Sequence, residues 1–329
     1  MSNKNEIGGY FELECGFHKN YHHSSLLFNS SRNALSFYLQ QKKIKKLHVP
    51  MFTCETIWKS VERANCTIIP YDVDTDFTPL IEFQENQFYL INNYFGITGK
   101  KNTMLCKNKK GNIIFDNSQA FYSKQYGTAG IYSPRKFFGL PDGGVLCTDL
   151  NLEEEYEKLP RSHSYEICSH LLIRHDREAQ EGYDEFVKNR QIIAGCGIEK
   201  MSFLTQNLMK GIHYEKIARI RKRNFNYLHN RLKNKNLLKF ELDKDDVPMV
   251  YPFKVDEKKE LQAYLLKHKI YTASYWPKSN EYPMHMASEN CRENRETIIP
   301  LTMDQRYAKK DMDRIVFVLE NFWGIIGRV

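Results

Sequence analysis

The sequence has no apolar run approaching the length of a membrane span. It opens on "MSNKNEIGGY", a polar stretch without the apolar core of a secretory signal. Both lacks point to a cytoplasmic protein without a membrane partner. Cysteine occurs eight times, at Cys15, Cys54, Cys66, Cys106, Cys147, Cys168, Cys196 and Cys291, but never as Cys-x-x-Cys. That argues against a metal site, and scattered thiols in a large chain fit a reducing compartment. A zinc finger, an RNA-recognition signature and a glycine-rich dinucleotide loop are absent as well. The densest basic run, "IARIRKRNFNYLHNRLKNKN" (217–236), sets Ile217, Ile220, Leu228 and Leu232 at helical spacing. It reads as an amphipathic helix with a solvated face rather than a nucleic-acid contact. The net charge of +8 is spread along the chain, which permits attraction to an anionic substrate and demands no nucleic-acid partner.

What is present is the composition of a globular chain. With 329 residues there is room for two domains, or for one large α/β unit with an appendage. The first two-thirds alternates helix and strand signals. Helices are predicted at 30–43 and 54–65. Strands are predicted at 46–50, 67–74, 87–95, 112–118, 127–133 and 143–149. Buried apolar strands between helices predict a mainly parallel sheet covered on both faces. The stretch 150–200 reads as polar and helical, and a long helix is expected near 203–233. Beyond it, strands at 247–255, 270–277 and 296–302 and helices at 257–269 and 309–322 predict a small α+β domain. The expected division is 1–212 for the large domain and 213–329 for the small one. No internal repeat or low-complexity linker interrupts the chain.

The chemistry concentrates in two segments. Asp116 closes the apolar run "NIIF", where groups past the carboxyl ends of parallel strands face a ligand crevice. Twenty residues later comes Lys136, inside "IYSPRKFFGLPDGG" (131–144), also after an expected strand. A lysine among aromatics can have a lowered pKa and a nucleophilic amine. A lysine with a carboxylate partner is what pyridoxal phosphate requires: the amine forms a Schiff base, and the carboxylate keeps the pyridine nitrogen protonated.

The order of these pieces resembles the DegT-type sugar aminotransferases, pyridoxal-phosphate enzymes of fold type I. "FDNSQAF" (115–121) is similar to that family's Glu-Asp-x-x-Gln-Ala segment, and "YSPRKFFGLPDGG" to its lysine segment followed by Gly-Gly. "NSSRNAL" (29–35), "VPMFTCETIW" (49–58), "PYDVDTDF" (70–77) and "EKMSFLTQNL" (199–208) resemble further family segments in the same order, over nearly the whole chain. The resemblance implies a fold type I architecture with a mainly parallel sheet, helices on both faces and a small C-terminal domain. It implies Lys136 as the Schiff-base lysine and proton shuttle, Asp116 at the pyridine nitrogen, and Gln119 supporting the ring or its hydroxyl. Ser31, Arg32 and Asn33 would meet the 5′-phosphate at a helix N-terminus, with Ser133 as a second phosphate group.

The departures from the family pattern are specific. Its Gly-Thr becomes Ser31-Arg32, and Arg binds phosphate bidentately. Ile131 stands where members often carry serine. Cys54 takes the place of an aromatic that stacks on the ring, and Ile198 that of an asparagine that reaches the neighbouring subunit's phosphate. Tyr94, Tyr275 and Arg306 are the candidate substrate contacts, with Trp276 beside Tyr275, although Tyr94 also reads as a core aromatic and Arg306 as a salt-bridge residue. His22 and His23 read as loop residues. The implied activity is transfer of an amino group, with glutamate as donor, to the keto group of a nucleotide-linked sugar for surface polysaccharide or glycan biosynthesis, in a homodimer. Two alternatives stay open: a smaller phosphorylated ketone as acceptor, and a binding or regulatory protein of the same fold. A dehydratase variant of the fold loses the lysine that this chain keeps.

Overall fold

The apolar runs of the first half become strands buried on both faces. The structure is a computed structural model that describes residues 13–23, 25–108, 111–276 and 288–326. Eight strands, β1 (Leu26–Phe28), β2 (Lys46–Pro50), β3 (Thr67–Val73), β4 (Pro79–Leu80), β5 (Phe88–Asn92), β6 (Asn112–Asn117), β7 (Ala129–Tyr132) and β8 (Gly144–Thr148), form one sheet in the order β1-β8-β7-β6-β5-β2-β3-β4. The run β7-β6-β5-β2-β3 is parallel; β8 is antiparallel to both β7 and β1, and β4 to β3. Successive side chains enter different cores, as the two-residue period of a strand demands. Leu90, Ile114, Ile131 and Leu146 pack beneath helices Ser31–Gln41 and Glu55–Arg63, whereas Tyr89, Ile91, Ile113 and Phe115 face the opposite core, with helix Tyr214–Leu232.

Strand direction determines where the chemistry gathers. Because β1 is antiparallel to β8, and β8 to β7, β1 runs parallel to β7. The carboxyl ends of β1, β2, β5, β6 and β7 therefore open on one edge of the sheet. Asp116 stands in register with Asn92 of β5 and Ile131 of β7. Lys136 follows four residues after the end of β7, in the 3₁₀ turn Pro134–Lys136. The chain returns through Gly143, whose φ of +135° suits glycine, and Gly144, where a Cβ would lie 2.1 Å from the Ser30 carbonyl carbon. The Gly-Gly after the lysine thus presses its turn onto the start of helix Ser31–Gln41.

The second sheet pairs β9 (Tyr251–Lys254) with β10 (Ile298–Leu301), antiparallel, and helices Lys258–Lys267, Glu289–Thr297 and Lys309–Ile326 flank it. The expected division at 212/213 lies between helices Phe203–Lys210 and Tyr214–Leu232. The helix expected over 203–233 is two helices, Phe203–Lys210 and Tyr214–Leu232. Gly211 ends the first, and Gly16 crosses so close that a Cβ on it would lie 2.4 Å from the Gly211 Cα. The strand expected at 270–277 is absent over 270–276, and residue 277 lies outside the described residues. Tyr275 and Trp276 instead meet Phe95 and Phe52 edge-on across the two units, at 5.6 and 4.9 Å between ring centres. Helix Gly99–Asn108 and strand β1 were not signalled by the sequence pattern. Among the described residues, no helix is long and apolar enough to cross a membrane.

Candidate active site

The turn after β6 carries the carboxylate and the amide. Asp116 Oδ1 accepts from the Ser118 N–H at 2.9 Å, which fixes the carboxylate and leaves its second oxygen unengaged. Gln119 is buried, and its Oε1 accepts from the Phe95 N–H at 2.7 Å. Its Nε2 is shut off from solvent with no partner among the described residues. A buried donor left unpaired costs about 1–3 kcal/mol, so this amide is held ready for an acceptor.

The turn after β7 carries the lysine. Lys136 is exposed, not enclosed by the neighbouring aromatics as the sequence suggested. Phe137 and Phe138 turn inward instead, against Phe121 and Tyr214. The lysine's backbone is held from both sides. Its N–H donates to the Ser133 carbonyl at 3.2 Å. The next carbonyl, of Phe137, accepts from Gln305 Nε2 at 2.7 Å and from an Arg221 N–H at 3.3 Å. Arg221 is buried, and its guanidinium lies 4.6 Å from the Phe137 ring centre. The C-terminal unit therefore grips the residue that follows the lysine, a connection that joins segments far apart in sequence and leaves no local signal. Ser133 is buried, and its hydroxyl makes no hydrogen bond among the described residues.

The turn after β1 begins helix Ser31–Gln41. Its N-cap is Ser30, whose Oγ accepts from the Asn33 N–H at 3.3 Å. Ser31 and Arg32 are therefore free of the capping task. The Asn33 N–H, expected among the phosphate donors, is the one bonded to Ser30 Oγ, and its side chain is engaged as well. Its Nδ2 donates to Asn29 Oδ1 at 2.8 Å and to the Gly197 carbonyl at 2.6 Å, and its Oδ1 accepts from Arg63 at 2.7 Å. This side chain is spent on tying the 196–199 segment to the helix. Arg32 is largely enclosed, and burial pulls its guanidinium pKa down; the charges of Arg63 and Arg190 act in the same direction and Cys54 against it. Cys54 is half-buried before helix Glu55–Arg63, accepts from Thr56 Oγ1 at 3.2 Å, and bears electrostatically on both Arg32 and Tyr275.

The candidate substrate residues divide. Tyr94 is a core residue: it is 2% exposed, its hydroxyl donates to the Phe52 carbonyl at 2.6 Å, and its ring stacks on Phe77 at 4.8 Å. Tyr275 lies beside Phe95 and Cys54 on the site edge, and burial raises its phenol to about 12. Arg306 is committed to Asp304, with N–O distances of 2.9 and 2.7 Å, and that pairing raises its pKa. It is an ion-pair residue rather than a free anion binder. His22 is no loop bystander; its ring lies 4.0 Å from that of Tyr132, and Nε2 meets the Phe121 carbonyl at 2.7 Å. Asp142, six residues past the lysine, is fully buried and accepts from the Ser202 N–H at 3.0 Å and the Ser202 hydroxyl at 2.9 Å, and also from Thr205 Oγ1. It anchors the returning turn.

No protein-family model matches the sequence, and no curated protein matches it. Solved structures match closely in shape. An aminotransferase of the DegT/DnrJ/EryC1/StrS group from Brucella abortus is 16% identical, with 91% of this chain and 85% of that chain covered at a TM-score of 0.62. DesV from S. venezuelae, in complex with a ketimine intermediate, is 15% identical over 94% and 85% of the two chains at 0.67. PseC from Helicobacter pylori, an aminotransferase involved in the biosynthesis of pseudoaminic acid, is 14% identical over 91% and 87% at 0.64. At these identities what is shared is the architecture: this chain has the fold of the DegT-type sugar aminotransferases.

Proposed function

We propose that the protein is a pyridoxal-phosphate-dependent aminotransferase that moves an amino group from glutamate to the keto group of a nucleotide-linked sugar, for surface polysaccharide or glycan biosynthesis. One observation carries this reading. On a single sheet edge, in a fold shared with sugar aminotransferases, Lys136, one oxygen of Asp116 and the Nε2 of Gln119 are all unspent among the described residues.

The groups present fit the cofactor. The orphaned Gln119 amide suits a ring hydroxyl as acceptor. The unbonded hydroxyls of Ser31 and Ser133 and the uncompensated Arg32 suit a phosphate dianion. Asp116 suits the pyridine nitrogen, where it holds a proton in place. When bound, pyridoxal phosphate supplies an electron sink for the bond that breaks at the donor's Cα. Lys136 secures the cofactor at rest and then carries the proton removed from the donor's Cα. Exposure of Lys136 at the edge leaves its amine free to approach both. Tyr275 and Cys54 wall the side toward the C-terminal unit.

Assembly as a homodimer belongs to the same reading. Tyr165, Leu172, Tyr183, Phe186 and Ile192 are exposed apolar residues concentrated in the 165–195 segment, which supports a surface that a second copy covers. The eight thiols are all free, consistent with a cytoplasmic site of action. The experiment is to supply the protein with cofactor, glutamate and a set of nucleotide-linked keto-sugars and to follow 2-oxoglutarate. Multiple turnovers with at least one sugar are expected. Half-reaction with glutamate but no turnover with any keto-sugar would contradict the acceptor class.

A further inference from the structure

Arg221, on helix Tyr214–Leu232, is 2% exposed and has all three guanidinium nitrogens engaged. Its Nε donates to Gln305 Oε1 at 2.8 Å. One terminal nitrogen donates to the Met249 carbonyl at 3.0 Å and reaches that of Pro248 at 3.4 Å, and the other donates to the Phe137 carbonyl at 3.3 Å. Gln305 closes the loop, since its Nε2 donates to the same Phe137 carbonyl at 2.7 Å. Among the described residues no carboxylate pairs with Arg221. Asp304, the carboxylate that bears on it, is held by Arg306 at 2.9 and 2.7 Å. A buried guanidinium that spends its fork on carbonyl oxygens holds backbone segments in place rather than balancing a charge.

Those carbonyls lead to two different turns of the site. Phe137 directly follows Lys136. On the other side, the Met249 N–H donates to the Phe95 carbonyl at 2.8 Å, and the Phe95 N–H donates to Gln119 Oε1 at 2.7 Å. Phe95 is held at a φ of +54°, a left-handed conformation that a bulky residue keeps only where its surroundings enforce it. Gly96 beside it is wedged in the same place: a Cβ there would lie 2.9 Å from the Gln119 carbonyl oxygen and 3.2 Å from the Pro248 Cα. We infer that Arg221 is a positioning residue that fixes the lysine turn and the Gln119 amide relative to each other. Gln305 is its arm to the lysine turn, and Met249 with Phe95 is its arm to Gln119. The inference rests on the cofactor reading above, and it adds that a residue remote in sequence sets the spacing of the two turns. A lysine at 221 would carry its donors at a single point and could not span the directions of the fork.

The test combines amide hydrogen exchange in the full-length apo-protein with the rate at which added pyridoxal phosphate is captured at Lys136. Gln305→Met cuts the arm to the lysine turn, and Arg221→Lys weakens both arms. Leu265→Ala, in the buried core of helix Lys258–Lys267, is the destabilised control. Gln305→Met is expected to speed exchange at Lys136, Phe137 and Phe138 about tenfold and to leave Phe95 and Met249 within about twofold of wild type. Arg221→Lys should speed exchange in both sets. Capture should slow about tenfold in Gln305→Met and about ten- to hundredfold in Arg221→Lys, because the amine is misplaced. Leu265→Ala should lower Tm at least as much, with capture within about twofold of wild type. Capture that simply follows Tm across the variants marks Arg221 as a stability residue and overturns the inference. So does exchange that changes in one set only in Arg221→Lys, or in both sets equally in Gln305→Met. If Arg221→Lys does not fold, Gln305→Met against Leu265→Ala decides alone. Wild type that captures no cofactor at Lys136 refutes the underlying reading, while the exchange pattern still decides whether Arg221 links the two turns.

Discussion

Two turns on the same sheet edge look alike in sequence and differ in what they have left to offer. After β5 comes Asn93-Tyr94, and after β6 comes Asn117-Ser118-Gln119. In the first, Asn93 donates to Asn117 and Ser123 and accepts from Thr98, while Tyr94 is buried with its hydroxyl bonded. In the second, Gln119 keeps a buried donor without a partner, and Asp116 keeps a free oxygen. Position at the carboxyl end of a strand is therefore not enough to mark a site. Unspent hydrogen-bonding capacity, held rigid at some cost, separates the working turn from the structural one.

The comparison breaks first at Asp116. Asp116→Asn is expected to slow transamination by orders of magnitude while cofactor capture persists, since a ring nitrogen without its proton is a poor electron sink. Unchanged turnover, measured by single-turnover kinetics with glutamate, would remove the β6 turn from the chemistry. Gln119→Leu should come next. It removes the buried orphan donor but also the acceptor of the Phe95 N–H, so the apo-protein should lose about 1–3 kcal/mol of stability, and cofactor affinity should fall about tenfold as well. Comparing melts of the apo and loaded forms checks both halves.

Tyr94→Phe tests the structural turn. It leaves the Phe52 carbonyl with only the longer bond from Asn92 Nδ2, at 3.5 Å, and should cost about 1 kcal/mol of stability with kcat within about twofold of wild type. A large loss of turnover without a loss of stability would return Tyr94 to the substrate site. The last test lies outside both turns, is seen only at acid pH and concerns His22. Burial lowers its pKa from 6.5 to about 4, against the bond to the Phe121 carbonyl. The unfolded chain then takes up a proton near pH 6.5 that the folded chain refuses until about pH 4. The contribution is complete above that window and is lost as pH falls through it, by about 3 kcal/mol in all. Urea unfolding of wild type and His22→Gln across the window should show a shallower decline in the variant.

The sequence carried the strands and the lysine–carboxylate pair because both are local: apolar runs closed by turn residues, and a short motif after each strand. The break at Gly211 was hidden because it depends on Gly16 crossing from the other end of the chain. Asn33 read as a phosphate contact because its position in the motif is visible, whereas its bonds to Gly197 and Arg63 are not. Arg306 read equally as an anion binder and as a salt-bridge residue, and only the position of Asp304 decides between them. Gln305 and Arg221, which fix the Phe137 carbonyl, act through contacts between distant segments.

The central claim is that Lys136 at this edge captures pyridoxal phosphate. The direct measurement is borohydride reduction of the cofactor-loaded protein followed by peptide mapping. The account expects the label on the peptide that contains Lys136, and no label in Lys136→Ala despite a folded protein. Label on another lysine, or cofactor that binds and is never fixed, would contradict it.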